Sequence, residues 1–157
     1  MSVHILVCPS CHTVNNVLEN SFLNNPICCT CNEKLLPGVP VEADEKLFNR
    51  FINNSTLPIM VTFWAPWSGR SHEMAEPIAL CAMLFHQDAI FLRINSKQEQ
   101  VLANHHKLID IPTFILFKSG AEYHRMQGLI GESELHTWLE RYLRVKRKKQ
   151  PHHRSSV

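Results

Sequence analysis

The chain has 157 residues, of which 45% are apolar, a composition that is ordinary for a globular protein with one main domain and a small appendage. No run of about eighteen apolar residues occurs, and the stretch before Cys8 is too short and uncharged for a signal peptide, which argues against membrane insertion and export. We therefore expect a cytoplasmic protein, although its net charge of +2 conceals an uneven distribution of charge.

The N-terminal residues 1–35 contain five of the six cysteines and show no sustained apolar periodicity. Four of the five form C-x-x-C pairs, Cys8 with Cys11 and Cys28 with Cys31, with sixteen residues between the pairs. Each pair brings two thiolates together from one tight turn, and two such turns complete a tetrahedron around Zn²⁺. We predict a four-cysteine, zinc-ribbon-like module that holds one structural Zn²⁺; disulfides or free thiols are the alternative.

The apolar pattern changes after this module. A linker rich in proline is predicted over residues 36–42, and an α/β domain over residues 43–145. The predicted elements, in chain order, are a helix over 43–54, a strand over 58–64, a helix over 69–87 interrupted by Pro77, a strand over 90–94, a helix over 97–108, strands over 113–117 and 122–126, and a helix from Glu132. This order predicts a mixed sheet with helices on both faces.

Two segments of this domain carry a family resemblance. Phe63 to Ser71, with the sequence FWAPWSGRS, resembles the active-site segment of the thioredoxins, F-W-A-x-W-C-G-P-C. Ile111-Pro112-Thr113 matches the I-P-T of that family, whose proline is cis, and Gly128 fits its later bulge. With the four-cysteine module in front, the chain resembles the zinc-containing second thioredoxin of bacteria, which implies a thioredoxin fold and a cis bond before Pro112.

Serines stand at the two positions of the family's redox cysteines, Ser68 and Ser71. Thiol–disulfide exchange needs an attacking thiolate and a second thiol that resolves the mixed disulfide. A serine hydroxyl is not ionised near neutrality and forms no sulfur–sulfur bond, so we expect no such exchange at this site. Thr62 replaces the family's buried Asp and Arg70 its proline, which favours natural degeneration over a deliberate double Cys→Ser exchange.

The resemblance implies a groove in which thioredoxins hold extended protein segments. Its expected border comprises Trp67, Gly69, Arg70, Ile111, Pro112 and Gly128. The first hypothesis is a non-redox protein that binds protein clients in this groove. The second is a protein-disulfide reductase of redox homeostasis, with thioredoxin reductase as a partner, if the serines are engineered or if Cys29 or Cys81 carries activity.

Several other residues allow alternative interpretations. Ser68, His72 and Glu76 lie one helical turn apart, which is compatible with hydrolytic catalysis, but helix capping and a solvated face explain them better. Cys81 lies on an apolar helical stripe and is expected to be a small buried hydrophobe. His12 is a possible substitute for one of the zinc ligands. His105 and His106 are expected on the surface, with weak adventitious metal affinity as the functional alternative.

The C-terminal tail concentrates the positive charge. Seven of the sixteen Lys and Arg lie at or after Arg141, where no Asp or Glu occurs. We expect a flexible basic tail over residues 146–157, whose cations suit the negative end of the last helix. Contact with nucleic acid or another anionic surface is the less favoured alternative, because only Tyr142 interrupts the basic run with an aromatic ring.

Overall fold

A computed structural model describes residues 2–143 of the chain. The predicted basic tail over residues 146–157 lies outside these described residues. The strands are β1 (Val3–Val7), β2 (Val14–Leu18), β3 (Val41–Glu42), β4 (Ile59–Trp64), β5 (Ile90–Asn95), β6 (Thr113–Lys118) and β7 (Ala121–Gln127). The helices are α1 (Glu45–Asn54), α2 (Gly69–Leu84), α3 (Gln100–His105) and α4 (Glu132–Leu143), with a short 3-10 helix over Glu19–Asn24. None of these helices is both long and apolar enough to span a bilayer.

Five strands form one mixed sheet in the order β3-β5-β4-β6-β7. The first three are parallel, whereas β6 is antiparallel to β4 and β7 is antiparallel to β6. β4 occupies the centre because its nearly continuous apolar sequence, IMVTFW, can be buried on both faces of a sheet. The predicted thioredoxin fold with a mixed sheet between helices is therefore confirmed.

The two faces of the sheet have separate apolar cores. Alternate β4 side chains point to opposite faces, so Val61 and Phe63 pack with Phe51 of α1 in the first core. Met60 packs in the second core with residues of α2 and α4, including Cys81 and Trp138. Both faces of β4 are thus covered by helices. The loop that follows β4 connects it to α2.

The N-terminal module packs into the first of these cores. β1 and β2 form an antiparallel hairpin, and Leu6, Val17 and Phe22 belong to the same buried cluster as Phe51 of α1. The backbone N–H of Thr56, just after α1, donates to the Ile5 carbonyl at 3.0 Å. The module therefore shares its apolar core with the larger domain, and its hairpin was not predicted from the sequence.

Some element boundaries differ from the predictions for local reasons. β3 lies inside the predicted linker 36–42, because Val41 and Glu42 pair with β5, a long-range contact that two residues cannot signal. α3 begins later than predicted because the Asn95 side chain accepts the N–H of Lys97 and Gln98 and so stabilises a turn. α2 and α3 also end earlier than predicted. The division of the chain into the ranges 1–35, 36–42 and 43–145 stays a prediction.

Candidate functional site

The four cysteines of the two C-x-x-C pairs converge in the module. Their sulfur atoms all lie within 4.8 Å of one another. Cys8 Sγ is 3.5 Å from Cys31 Sγ, and Cys11 Sγ is 3.6 Å from Cys28 Sγ. Thiolates bound at about 2.3 Å to one tetrahedral Zn²⁺ lie about 3.8 Å apart. The four residues therefore fit a tetrahedral metal ion, and a full set of four protein ligands suits a structural role.

The two pairs are held by turns of the same construction. The N–H of His12 donates to the Cys8 carbonyl, and the N–H of Asn32 donates to the Cys28 carbonyl. His12 and Asn32 both have left-handed backbone angles, with φ of 69° and 67°. The N–H of Cys11 donates to Cys8 Sγ at 3.5 Å, as that of Thr30 does to Cys28 Sγ at 3.4 Å. Each turn thus directs backbone N–H donors at the sulfur of its first cysteine.

The environment of Cys28 favours the thiolate over the thiol. Burial raises the pKa of Cys28, but the N–H groups of Cys31 and Thr30 and the Asn15 amide outweigh it and lower this pKa to about 6. The Asn15 side chain donates to Cys28 Sγ at 3.5 Å and accepts the N–H of Cys29 at 2.9 Å. Asn15 is itself buried, so it ties β2 to the second cysteine turn.

The two other candidates in the module lie apart from this sulfur cluster. Cys29 is exposed, and its sulfur contacts the Thr30 hydroxyl at 3.8 Å. His12 contributes backbone contacts instead of a ligand atom, since its carbonyl accepts from Arg50 Nε at 3.0 Å. Within residues 2–143, the only group of His, Cys, Asp and Glu close enough to hold a metal is the set of four cysteines.

The two serines of the thioredoxin-like segment are buried structural groups. Ser68 is the N-cap of α2, and its Oγ accepts the N–H of Ser71 at 3.1 Å. Ser71 Oγ accepts the N–H of Ala65 at 3.3 Å. Thr62 is buried on β4, where its hydroxyl faces Met60 Sδ at 3.9 Å. The Ser68 hydroxyl thus satisfies a backbone donor that the start of α2 would otherwise leave unpaired, and the Ser71 hydroxyl satisfies one in the loop before the helix.

The alternative hydrolytic arrangement is not assembled. His72 Nε2 lies 2.8 Å from the Pro66 carbonyl oxygen, so the ring is engaged by the backbone. The Ser68 hydroxyl is occupied as a helix cap. Among the described residues, no side-chain hydrogen bond joins Ser68 to His72 or His72 to Glu76, and the capping interpretation accounts for this helix end.

The loop before β6, residues 109–112, is named here the cis-proline loop. The Ile111–Pro112 bond is cis, as predicted. The N–H of Gly128 donates to the Pro112 carbonyl at 2.7 Å, and Gly128 has a φ of +84° that favours glycine. A Cβ at Gly128 would lie 3.2 Å from Asp110 Oδ2, so the missing side chain leaves room for that carboxylate.

An ion pair connects the cis-proline loop to the start of α2. Arg70 Nη1 lies 3.3 Å from Asp110 Oδ2, while Asp110 Oδ1 accepts the N–H of Ile111 at 2.9 Å. Trp67 is 71% exposed beside this helix start. Sequence reasoning missed Asp110; its place directly before the Ile-Pro-Thr match, and the opposite charge of Arg70, are the signals that could have identified it.

Two further titratable side chains have buried polar atoms away from this site, the Cys81 thiol and His106 Nε2. Burial raises the pKa of Cys81 to about 11, and Glu132 adds to that effect. Cys81 is therefore a poor thiolate, which agrees with its expected role as a buried hydrophobe. His106 corrects an expectation: its Nε2 is buried without a hydrogen-bond partner, and burial lowers its pKa. The ring packs against Phe48, Phe63 and Phe117 instead of facing solvent.

Comparison of the sequence with known proteins identifies a family to which the chain is similar. The sequence profile of the family described as Thioredoxin matches residues 39–141. Over 139 residues the chain is 34% identical to Thioredoxin C-3 of Corynebacterium nephridii, a match covering 88% of this chain and 95% of that protein. The chain belongs to the thioredoxin family. It is also 28% identical to a thioredoxin of Porphyra purpurea, over 61% of this chain and 90% of that one.

A solved structure supports the fold of this thioredoxin-family chain. A thioredoxin mutant from Halobacterium salinarum NRC-1 superposes with a TM-score of 0.62, over 68% of this chain and 93% of that one, at 21% sequence identity. The match to Thioredoxin C-3 is longer than the segment 39–141, so it also includes residues outside the part that the family profile matches.

Proposed function

We propose that this chain is a thioredoxin 2-like protein that binds extended protein segments in the thioredoxin groove and performs no dithiol–disulfide exchange at residues 68 and 71. The observation that carries the proposal is the use of both hydroxyls at the start of α2. Ser68 and Ser71 each accept a backbone N–H, so the helix end keeps its shape without sulfur. The groove is then preserved while its redox pair is not.

Three features of the segment argue against redox chemistry there. Neither Ser68 nor Ser71 can form a disulfide, and a hydroxyl is a far weaker nucleophile than a thiolate near neutral pH. Thr62, at the family's buried carboxylate position, cannot accept a proton from a resolving thiol as a carboxylate would. The remaining buried thiol on this face, Cys81, has a raised pKa and is covered by the second core.

Several features around the start of α2 and the cis-proline loop support the binding of an extended segment. The exposed indole of Trp67 offers an apolar surface at one side. The cis-proline loop, with Ile111 half-buried, lies on the other side, and the N–H of Gly128 holds its Pro112 carbonyl at 2.7 Å. Extended peptides gain affinity from main-chain hydrogen bonds and specificity from such neighbouring apolar surfaces. The proposed partners are therefore protein clients in an extended conformation.

The module supports the assignment to the zinc-containing bacterial subtype. We infer that one Zn²⁺, bound by Cys8, Cys11, Cys28 and Cys31, would neutralise thiolates and hold the two turns together. Since four protein thiolates complete the coordination, the ion would act structurally. A cytoplasmic location fits four reduced cysteines, because a reducing compartment favours thiolate ligands over disulfides.

A second candidate function is a protein-disulfide reductase that is recharged by thioredoxin reductase. Cys29 favours it, because this thiol is exposed and lies outside the sulfur cluster. The test is a turbidity assay of insulin reduction with dithiothreitol or with thioredoxin reductase and NADPH. We expect no acceleration over the reagents alone. Rates like those of a redox-active thioredoxin, abolished in Cys29→Ser, would establish the second function instead.

Binding is tested directly with a client that has no free thiol. The probe is insulin B chain alkylated with iodoacetamide and labelled with a fluorophore, and the measurement is fluorescence anisotropy. We expect saturable binding that Trp67→Ala weakens about tenfold, since exposed aromatic anchors carry a large share of binding energy. Leu23→Ala, which removes an exposed apolar side chain from the 3-10 helix of the module, serves as the matched control. Absence of saturable binding would contradict the proposed function.

A further inference from the structure

One carboxylate occupies the gap between the two sides of the groove. Asp110 Oδ1 accepts the N–H of Ile111 at 2.9 Å, and Asp110 Oδ2 lies 3.3 Å from Arg70 Nη1 at the start of α2. The same Oδ2 fills the space that Gly128 leaves by having no side chain. A continuous path from backbone N–H through carboxylate to guanidinium therefore crosses from the cis-proline loop to the helix.

The Asp110 carboxylate occupies the N–H of Ile111, which is the kind of backbone donor that a bound extended segment needs. An extended segment that joins a protein edge pairs its carbonyl oxygens with exposed backbone N–H groups. The N–H of Ile111 and the guanidinium of Arg70 contact the same carboxylate, so this donor lies close to the start of α2. A client carbonyl and the Asp110 carboxylate would thus compete for one hydrogen.

We propose that Asp110 is an internal competitor for clients, held over the Ile111 N–H by Arg70, and that this pair acts as a latch on the groove. The inference rests on the proposed function, because a latch regulates only a groove that binds. Opening the latch exchanges the Asp110 carboxylate for a client carbonyl at Ile111, while the carboxylate leaves Arg70 and turns towards solvent.

The exposure of the pair decides how firmly the latch closes. The Arg70 and Asp110 side chains are 59% and 46% exposed, so water and salt screen their attraction. An exposed ion pair contributes little to stability, so a client can displace the Arg70–Asp110 pair. The latch therefore predicts an effect of salt on client binding. Higher ionic strength weakens the Arg70–Asp110 pair, so a client that relies on backbone and apolar contacts should bind more tightly.

The experiment measures binding of the alkylated, labelled insulin B chain to the full chain and to variants at the latch. Asp110→Ala removes the competitor, and we expect about threefold to tenfold tighter binding. Arg70→Gln leaves the carboxylate without its anchor and should give a smaller gain. Asp110→Asn keeps an acceptor oxygen for the Ile111 N–H but loses the charge, so it should fall between the wild type and Asp110→Ala.

A matched control separates the latch from a general charge effect. Glu134→Ala removes one negative charge from an exposed position on α4 and should leave affinity unchanged. Binding by the wild type should tighten as NaCl rises from about 50 to 500 mM, and this gain should vanish in Asp110→Ala. Hydrogen exchange of the Ile111 amide, measured by NMR, should be slow in the wild type and faster in Asp110→Ala.

The outcomes distinguish this inference from the proposed function. Saturable wild-type binding with equal or weaker affinity in Asp110→Ala overturns the latch and leaves the proposed function standing. Equal gains in Asp110→Ala and Glu134→Ala overturn it as well, since the effect would be one of net charge. Absence of binding in every variant overturns the proposed function, and the latch falls with it. Tighter binding in Asp110→Ala alone, together with faster exchange at Ile111, supports the latch.

Discussion

Two turns of this molecule direct a backbone N–H at the side chain three residues earlier, yet they serve different purposes. In the module, the N–H of Cys11 donates to Cys8 Sγ at 3.5 Å. At the start of α2, the N–H of Ser71 donates to Ser68 Oγ at 3.1 Å. The first acceptor is one of four converging sulfurs, whereas the second is an isolated hydroxyl oxygen. The same local geometry therefore supplies a candidate metal ligand in one place and a helix cap in the other.

The two turns differ in whether a hydroxyl oxygen can take the place of a cysteine sulfur. A hydroxyl accepts the N–H of Ser71 better than a sulfur would, so the start of α2 is compatible with serine at 68 and 71. A neutral hydroxyl is a poor ligand for Zn²⁺ compared with a thiolate, so we expect the module not to tolerate the same exchange. Serine at the helix is compatible with the fold, and serine in the module should not be.

The largest expected effect comes from making that exchange in the module. Cys28→Ser should abolish stoichiometric metal binding, because Cys28 is buried among the other sulfurs and its thiolate is the favoured form. Metal binding in isolated zinc modules is worth about 10 kcal/mol or more of folding free energy. We expect less than one Zn²⁺ per ten chains and a clearly lower Tm, measured by elemental analysis and by circular dichroism.

Cys29→Ser is the control for this prediction. It makes the same chemical change one residue away, at an exposed thiol outside the cluster, and should leave metal content and Tm unchanged. One Zn²⁺ per chain in Cys28→Ser with a wild-type Tm, or an equal loss in Cys29→Ser, would show that the four cysteines are not the ligand set.

The features that could be predicted from the sequence are those that depend on local patterns. The C-x-x-C spacing and the buried β4 run are local patterns, and both correspond to observed features, the sulfur cluster and the central strand. The β1–β2 hairpin was missed because its residues alternate weakly and are buried by packing into the core that contains α1. The role of Asp110 was missed because its contact with Arg70 spans forty residues. Local patterns were accessible, whereas contacts made by tertiary packing were not.

The second prediction restores sulfur to the helix turn. Ser68→Cys combined with Ser71→Cys should produce weak protein-disulfide reductase activity from an inactive parent. The helix N-terminus and the nearby Arg70 both favour a thiolate at residue 68, which helps the attacking step. The resolving step should stay slow because Thr62 offers no carboxylate, and general base catalysis of this kind is worth roughly a hundredfold or more.

Adding Thr62→Asp to the double variant sharpens this prediction. We expect a clear further gain in insulin reduction, and a restored pair with a higher reduction potential than an ordinary thioredoxin, measured by equilibration with glutathione. Full thioredoxin-level turnover in the double variant, with no gain from Thr62→Asp, would mean that the site has lost nothing besides its two thiols. That result would favour a deliberate Cys→Ser exchange over natural degeneration.

The smallest expected effect tests whether the serines are truly caps. Ser68→Ala removes the acceptor of the Ser71 N–H, and loss of an N-cap hydroxyl costs about 0.5–2 kcal/mol of stability. Ser133→Ala, at an exposed serine in the first turn of α4, should cost less than about 0.5 kcal/mol. Urea unfolding followed by circular dichroism measures both values. Ser68→Cys should fall between them, because sulfur accepts this hydrogen bond less well than oxygen. Equal stabilities for Ser68→Ala and wild type would mean that the Ser68 hydroxyl does not stabilise the start of α2. The serine turn would then have no structural role to distinguish it from the cysteine turn of the module.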